Sequence, residues 1–172
     1  MSFSAIVVAA GEGLRAGPGE PKAWRRLGAR PLVRWSVEAL LDAGAGEVVV
    51  VVAGDRLAAA EEALQGLQGW RAVAGGRTRA QSVQAGLAAL GCGDETPVLV
   101  HDAARPFVTR AHIERLLTAL ADVDGAIPAL PVPDTLKRGA GHVTGTVDRE
   151  GLWRAQTPQA FRFRTLTSAY GR

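Results

Sequence analysis

One cysteine, one methionine, two lysines and no asparagine occur in this 172-residue chain. Cys92 stands alone between Gly91 and Gly93, so an intrachain disulfide and a cysteine-built metal site are both excluded. Aromatic residues make up 5% of the chain and no run of basic residues occurs. A nucleic-acid surface, which interleaves cations with stacking rings, is therefore not expected. No apolar stretch approaches the ~20 residues that a membrane span needs. The short apolar start has no basic segment before it, so no leader is expected and the cytoplasm is the expected address.

What is present is ordinary globular material, 47% hydrophobic and 22% charged. A chain of this length is expected to form one domain over residues 1–172, burying roughly 70% of its unfolded surface. The formal net charge of +3 suits an anionic small molecule.

Apolar strand patterns alternate with helical spacing along the chain. Residues 3–9 and 48–53 are continuous apolar runs, the second with five consecutive valines, and both are expected as strands buried on two faces. Residues 71–74, 97–100 and 125–130 supply further strands. Helices are expected over 31–43, from Asp55 as cap through Leu64, over 78–90, from Thr109 as cap to Leu120, and from about Arg164 onward. Strands separated by helices imply right-handed crossovers and a mainly parallel sheet. Residues 133–149 break the pattern, alternating polar and apolar around a Gly-Ala-Gly turn, as an exposed hairpin arm would. An arm that cannot bury itself commonly packs on a partner subunit.

The first strand runs into AIVVAAGEGLRAGPGEPK (5–22), which contains Gly11, Gly13, Arg15 and one of the two lysines, Lys22. Glycines let backbone N–H groups approach phosphate, and the two cations neutralise it. A chain that writes 18 cations as Arg but Lys here calls for a compact point charge. Gly11, Gly13 and Ala16 also fit a dinucleotide fingerprint, but Gly-Pro-Gly-Glu-Pro over 17–21 cannot open a helix, so a nicotinamide enzyme is disfavoured. Lys22 lacks the flanking residues of a Walker loop. The loop suits a triphosphate.

In open parallel sheets ligands lie beyond the carboxyl ends of the strands. VLVHDAARP (98–106) places Asp102 and Arg105 at such an edge. With AAGEGLR and PK (9–15, 21–22), GGRTRAQSVQAGL (75–87), HDAARP (101–106), PVPDTLKR (131–138) and TVDREGLWRAQTPQ (146–159), the chain resembles the 2-C-methyl-D-erythritol 4-phosphate cytidylyltransferase family along essentially its whole length.

The resemblance implies an α/β fold of the nucleotide-diphospho-sugar transferase type: a Rossmann-like three-layer αβα sandwich with a mainly parallel sheet and an exposed β-hairpin arm. It implies CMP transfer from CTP to methylerythritol phosphate with release of pyrophosphate. Arg15 and Lys22 would be catalytic, holding the triphosphate. Ala9, Ala10, Gly11, Gly13, Gly75, Gly76, Ser82 and Ala103 would bind the nucleotide. Asp102, Arg105, Thr135, Arg149 and Thr157 would hold the sugar-alcohol phosphate. Taken alone, Asp102 has the alternative reading of an ion-paired or capping aspartate, Arg105 reads equally as its structural partner, and Ser82 without its flanking block reads as an ordinary helix serine. No metal site built by the protein is expected; Mg²⁺ would enter mainly through the CTP phosphates. In the family the arm reaches toward a dimer mate, so a homodimer is implied.

The acceptor is itself a phosphate monoester, mostly dianionic at neutral pH, and needs no base. That agrees with a chain that shows no nucleophile–base pair. His101, His112 and His142 lack partners at metal-ligand spacing, and Trp24, Trp35, Trp70 and Trp153 read as packing residues. The family pattern continues beyond Arg172 with a second phosphate-contacting lysine, so a C-terminal portion is expected to be missing here. Arg77 and Gln81 stand where acids are common in the base-reading block. A ribitol 5-phosphate cytidylyltransferase, a more distant guanylyltransferase of cofactor biosynthesis and a non-catalytic nucleotide-binding domain are the alternatives.

Overall fold

The computed structural model describes residues 2–11 and 19–171. In chain order its elements are β1 (Phe3–Val8), β2 (Arg26–Leu27), β3 (Arg30–Pro31), α1 (Leu32–Asp42), β4 (Ala45–Val52), α2 (Leu57–Ala63), β5 (Trp70–Ala74) and α3 (Arg79–Ala89). There follow β6 (Pro97–Asp102), α4 (Arg110–Ala119), β7 (Gly125–Ala126), β8 (Ala129–Pro131), β9 (Leu136–Ala140), β10 (His142–Val147), β11 (Trp153–Ala155), β12 (Gln159–Arg162) and α5 (Phe163–Tyr170).

Six strands form the main sheet in the order β5-β4-β1-β6-β12-β7. The first four run parallel, and β12 pairs antiparallel with β6 and β7. The valine run explains the layering. Side chains alternate across a strand, so Val48, Val50 and Val52 enter one apolar cluster while Val49 and Val51 enter the other. The first cluster is closed by α1, α2 and α4 through Val37, Ala60 and Ile113; the second is closed by α3 and α5 through Val83, Leu87 and Leu166. Helices therefore cover both faces, giving the three-layer αβα sandwich.

The order of strands fixes where a ligand can enter. From β1 the chain builds outward through β4 to β5, then returns to the other side of β1 with β6. The switch point lies between β1 and β6, where their carboxyl ends leave a crevice uncovered by crossovers. The parallel register pairs Val8 with Asp102, so Ala9 and Ala103 leave the sheet side by side.

Local chemistry sets the helix ends. Thr78 accepts from the Gln81 backbone N–H, and the Gln81 side chain returns to the Thr78 N–H, a complete capping box on α3. Thus Gln81, read as a departure in the base-reading block, is the capping partner. Gly44, at φ +99°, closes α1 as expected, with its N–H on the Leu41 carbonyl.

Three expectations are corrected. Asp55 caps no helix: it lies in a 3₁₀ turn over Gly54–Arg56, and α2 begins only after it. The strand expected over 125–130 is split, because β7 joins the main sheet while β8 leaves it to pair antiparallel with β11. Trp153, on β11, is 62% exposed and packs into neither core cluster. The arm is an antiparallel β9–β10 hairpin whose side chains are nearly all exposed.

Candidate active site

Lys22 is exposed, yet its turn is pinned. It opens a 3₁₀ turn, Lys22–Trp24, whose next two residues are buried in the core. The Trp24 N–H donates to the Pro21 carbonyl at 2.9 Å, and the Arg56 guanidinium lies 5.4 Å over the Trp24 ring. A buried aromatic thus fixes the backbone from which a solvent-facing ammonium extends. Gly13 and Arg15 lie outside the described residues.

Beside this turn, at the end of β6, opens a cavity of about 730 Å³ lined by Lys22, His101, Asp102, Arg105, Gln156 and Thr157. Apolar walls come from Phe107, Val108 and Leu130. Asp102 is gripped by two guanidinium groups, Arg79 at 3.1 Å on Oδ1 and Arg105 at 3.4 Å on Oδ2. Arg105 also donates to the Gln156 side-chain oxygen. The four residues hold one another at the rim with positive charge in excess.

Below them sits a hydrogen-bond chain. The buried His101 lies 3.0 Å through Nε2 from the Arg105 carbonyl and 3.1 Å through Nδ1 from Thr157 Oγ1. Thr157 Oγ1 in turn accepts from the Asp102 backbone N–H at 3.2 Å. Burial outweighs the attraction of Asp102 and lowers the His101 pKa to about 4. The ring is neutral at physiological pH and both its nitrogens are occupied, so it is no general base.

A second cluster lies across the switch point, beyond β1. The Ala9 N–H continues the sheet to the Val51 carbonyl at 2.7 Å, and the Gly75 N–H does so to Val52 at 2.7 Å. Gly75 leaves no room for a side chain. A Cβ there would lie 2.8 Å from Ala10 Cβ and from Ser82 Oγ, and 2.9 Å from Val51 Cγ1. The buried Ser82 hydroxyl turns inward, with the Thr78 carbonyl at 3.0 Å and the Gly76 carbonyl at 3.4 Å. Ala10, Gly75, Gly76 and Ser82 therefore form one packed unit, and at Gly11 beyond them an added Cβ would meet nothing within 4 Å among the described residues.

The structure brings Lys22, Asp102, Arg105 and Thr157 to one cavity, and Ala9, Ala10, Gly75, Gly76 and Ser82 to an adjoining cluster. It does not bring Ala103 to the rim: the residue is fully buried, its N–H on the Val8 carbonyl at 3.1 Å and its carbonyl taken by the Ser36 hydroxyl at 2.9 Å. Nor are Thr135 and Arg149 among the described residues lining the cavity. Both are exposed at the base of the arm, where Arg149 donates to the Pro133 carbonyl.

Sequence reasoning missed Arg79 and Gln156, and set His101 aside. Arg79 stands inside the quoted block 75–87, directly after the Thr78 cap, where a first-turn side chain reaches the strand edge; that signal is present in the sequence. Gln156 and His101 become visible only when β12 folds back beside β6.

Among the described residues no group of three or more His, Cys, Asp or Glu could hold a metal, and no helix is long and apolar enough to cross a membrane. Asp102 is the one carboxylate among the described residues on the cavity wall. That donor set fits a cation carried mainly by a phosphate ligand, not one held by protein oxygens alone.

A family model described as 2-C-methyl-D-erythritol 4-phosphate cytidylyltransferase (IspD) matches residues 3–172. A bifunctional enzyme IspD/IspF of Caulobacter vibrioides is 61% identical over 173 residues, covering 99% of this chain and 45% of that protein. A 2-C-methyl-D-erythritol 4-phosphate cytidylyltransferase of Bordetella petrii is 50% identical, covering 98% of this chain and 76% of the relative. The chain thus spans less than half the length of its bifunctional relatives. The crystal structure of 2-C-methyl-D-erythritol 4-phosphate cytidylyltransferase from Thermus thermophilus superposes with a TM-score of 0.76 at 36% identity, covering 99% of this chain and 75% of that one.

Proposed function

The chain belongs to the 2-C-methyl-D-erythritol 4-phosphate cytidylyltransferase family, and from that premise we propose that it transfers CMP from CTP to methylerythritol 4-phosphate with release of pyrophosphate. The observation that carries the reading is the meeting of Lys22, Asp102 and Arg105 on one cavity at the switch point of the sheet.

The chemistry asks little of the protein beyond position and charge. An acceptor phosphate dianion must approach the α-phosphorus of CTP in line, against the repulsion of two crowded anions. Backbone at Ala9, Ala10 and Gly11, with Gly13 and Arg15, would receive the triphosphate. Gly75, Gly76 and the Ser82 unit would shape the cytosine site. The Lys22 ammonium would neutralise the α-phosphoryl oxygens as charge builds in transfer. Asp102 would accept from hydroxyls of the acceptor's carbon chain, while Arg105 faces its phosphate. Thr135 and Arg149 would complete the acceptor site from the arm of a second copy. Exposed Val143 (64%), on the arm, and Leu130 (49%) and Trp153 (62%), on the β8–β11 pair that flanks it, support a dimer, because such apolar surface suits burial against another subunit. Mg²⁺, held mainly by the CTP phosphates, would draw off phosphate charge. The enzyme would work in the cytoplasm.

Pyrophosphate release from CTP and Mg²⁺ tests the reading, measured with methylerythritol phosphate, with ribitol 5-phosphate and with no acceptor. Release only with the first acceptor is expected. Release with ribitol phosphate instead would transfer the assignment to the sister activity, and CTP binding without release would reduce the chain to a nucleotide-binding domain.

A further inference from the structure

His101 makes two hydrogen bonds and Thr157 a further one, and the partners fix the direction of all three. His101 Nε2 faces the Arg105 carbonyl at 3.0 Å, an atom that only accepts, so Nε2 carries the ring proton. In the neutral ring Nδ1 then has a lone pair and no hydrogen. The partner at 3.1 Å, Thr157 Oγ1, must donate to it. The Thr157 oxygen still accepts from the Asp102 backbone N–H at 3.2 Å. The hydroxyl's single proton is committed inward, and a lone pair is the only thing it could turn toward an anion.

We propose that His101 is a positioning residue: it draws the Thr157 hydroxyl proton into the floor of the site, so that Thr157 acts by fixing the Asp102 backbone and not by donating its hydroxyl to the acceptor phosphate. One neutral ring thereby ties three segments together, the end of β6, the turn at Arg105 and the chain entering β12. This proposal rests on the transfer reading only for its kinetic arm. Burial keeps the ring neutral; the charged groups acting on it are Asp102 and Arg105, while Lys22 and His112 line the same cavity and the neighbouring β1 residue is Val7.

The test has two arms on the full chain. In the first, ¹⁵N-histidine NMR reads the His101 tautomer between about pH 5.5 and 8. A neutral Nε2–H ring throughout is expected, with an Nδ1 shift that moves in Thr157→Val. An Nδ1–H tautomer, a ring that titrates near its ordinary value, or an Nδ1 signal indifferent to Thr157→Val would overturn the proposal, whether or not the chain turns over. In the second arm, wild-type turnover is established first, since its absence counts against the transfer reading and leaves the NMR arm to decide. Thr157→Val is expected to raise the acceptor KM about tenfold and leave the CTP KM within about twofold, with Thr157→Ser restoring the wild-type value. His101→Gln, which keeps a donor for the Arg105 carbonyl but loses the Nδ1 acceptor, is expected to show the same split. The double variant is expected to be no worse than either single one. Additive effects, or equal rises in both KM values, would overturn the relay and return Thr157 to direct contact.

Discussion

Asp102 Oδ1 lies 3.1 Å from Arg79 Nη2, an ion pair that crosses the switch point from the end of β6 to the first turn of α3. The two halves of the site meet through it. On the α3 side stand Gly75, Gly76 and Ser82; on the β6 side stand Arg105, Gln156 and the cavity. The other carboxylate oxygen, Oδ2, faces Arg105 at 3.4 Å, so Asp102 is oriented from both sides.

Removing Arg79 separates a stabilising role from a functional one. Its side chain is 46% exposed and that of Asp102 35%, so the pair should contribute less than about 1 kcal/mol to folding. Arg79→Ala should leave the melting temperature nearly unchanged and lower kcat/KM by about tenfold or more, because Asp102 loses one of its two orienting partners. Melting curves and steady-state kinetics on the same preparation check this. A lower melting temperature with intact kinetics would make the pair structural.

Lys22→Ala should lower kcat by about two to three orders of magnitude while the CTP KM stays within a few-fold, since the ammonium is worth most where charge develops. Lys22→Arg should not restore turnover, because a planar fork cannot replace a compact charge on this turn. Single-turnover rates with saturating CTP distinguish these outcomes from a binding defect.

The two glycines flanking the nucleotide cluster should respond differently. Gly75→Ala places a methyl group 2.8–2.9 Å from Ala10, Ser82 and Val51, and should cost about 1–3 kcal/mol of stability. Among the described residues Gly11→Ala meets nothing within 4 Å, so it should leave stability almost unchanged. It should instead raise the CTP KM, since the added Cβ stands where backbone must approach phosphate. Denaturant midpoints and CTP titrations for the two variants check the contrast.

His101 makes stability depend on pH. Its pKa is about 4 when folded against 6.5 in its ordinary state, so between those values the unfolded chain binds the extra proton. Stability is therefore full above about pH 6.5 and falls as pH drops toward 4, by up to about 3 kcal/mol from this residue. His101→Asn, which cannot titrate there, should show a flatter profile over the same window. Denaturant unfolding at several pH values, wild type beside variant, measures the difference; parallel profiles would contradict it.

Much of this was written in residue patterns. Five consecutive valines announce a strand buried on both faces, and alternation with amphipathic helices implies the parallel sheet. Thr78 with Gln81 spells a capping box, and Gly44 a helix stop. The strand-end position of Asp102 follows from the sheet alone. The rest depended on contacts distant in sequence. Nothing near Gln159 says that β12 returns antiparallel beside β6, yet that return delivers Gln156 and Thr157 to the site. His101 looks like a bystander in sequence because its two partners are an Arg105 carbonyl and a hydroxyl 56 residues away. Ala103 is placed near the nucleotide by the resemblance alone; that its side chain turns into the core follows from the alternation of side chains at the strand end.

Phosphorus NMR on the purified chain with CTP, Mg²⁺ and methylerythritol phosphate follows the cytidyl transfer itself. The acceptor's monoester signal should disappear as two things grow together, free pyrophosphate and the paired resonances of a new cytidyl phosphoanhydride. Hydrolysis of CTP with the acceptor signal unchanged, or a spectrum that does not change, would contradict it.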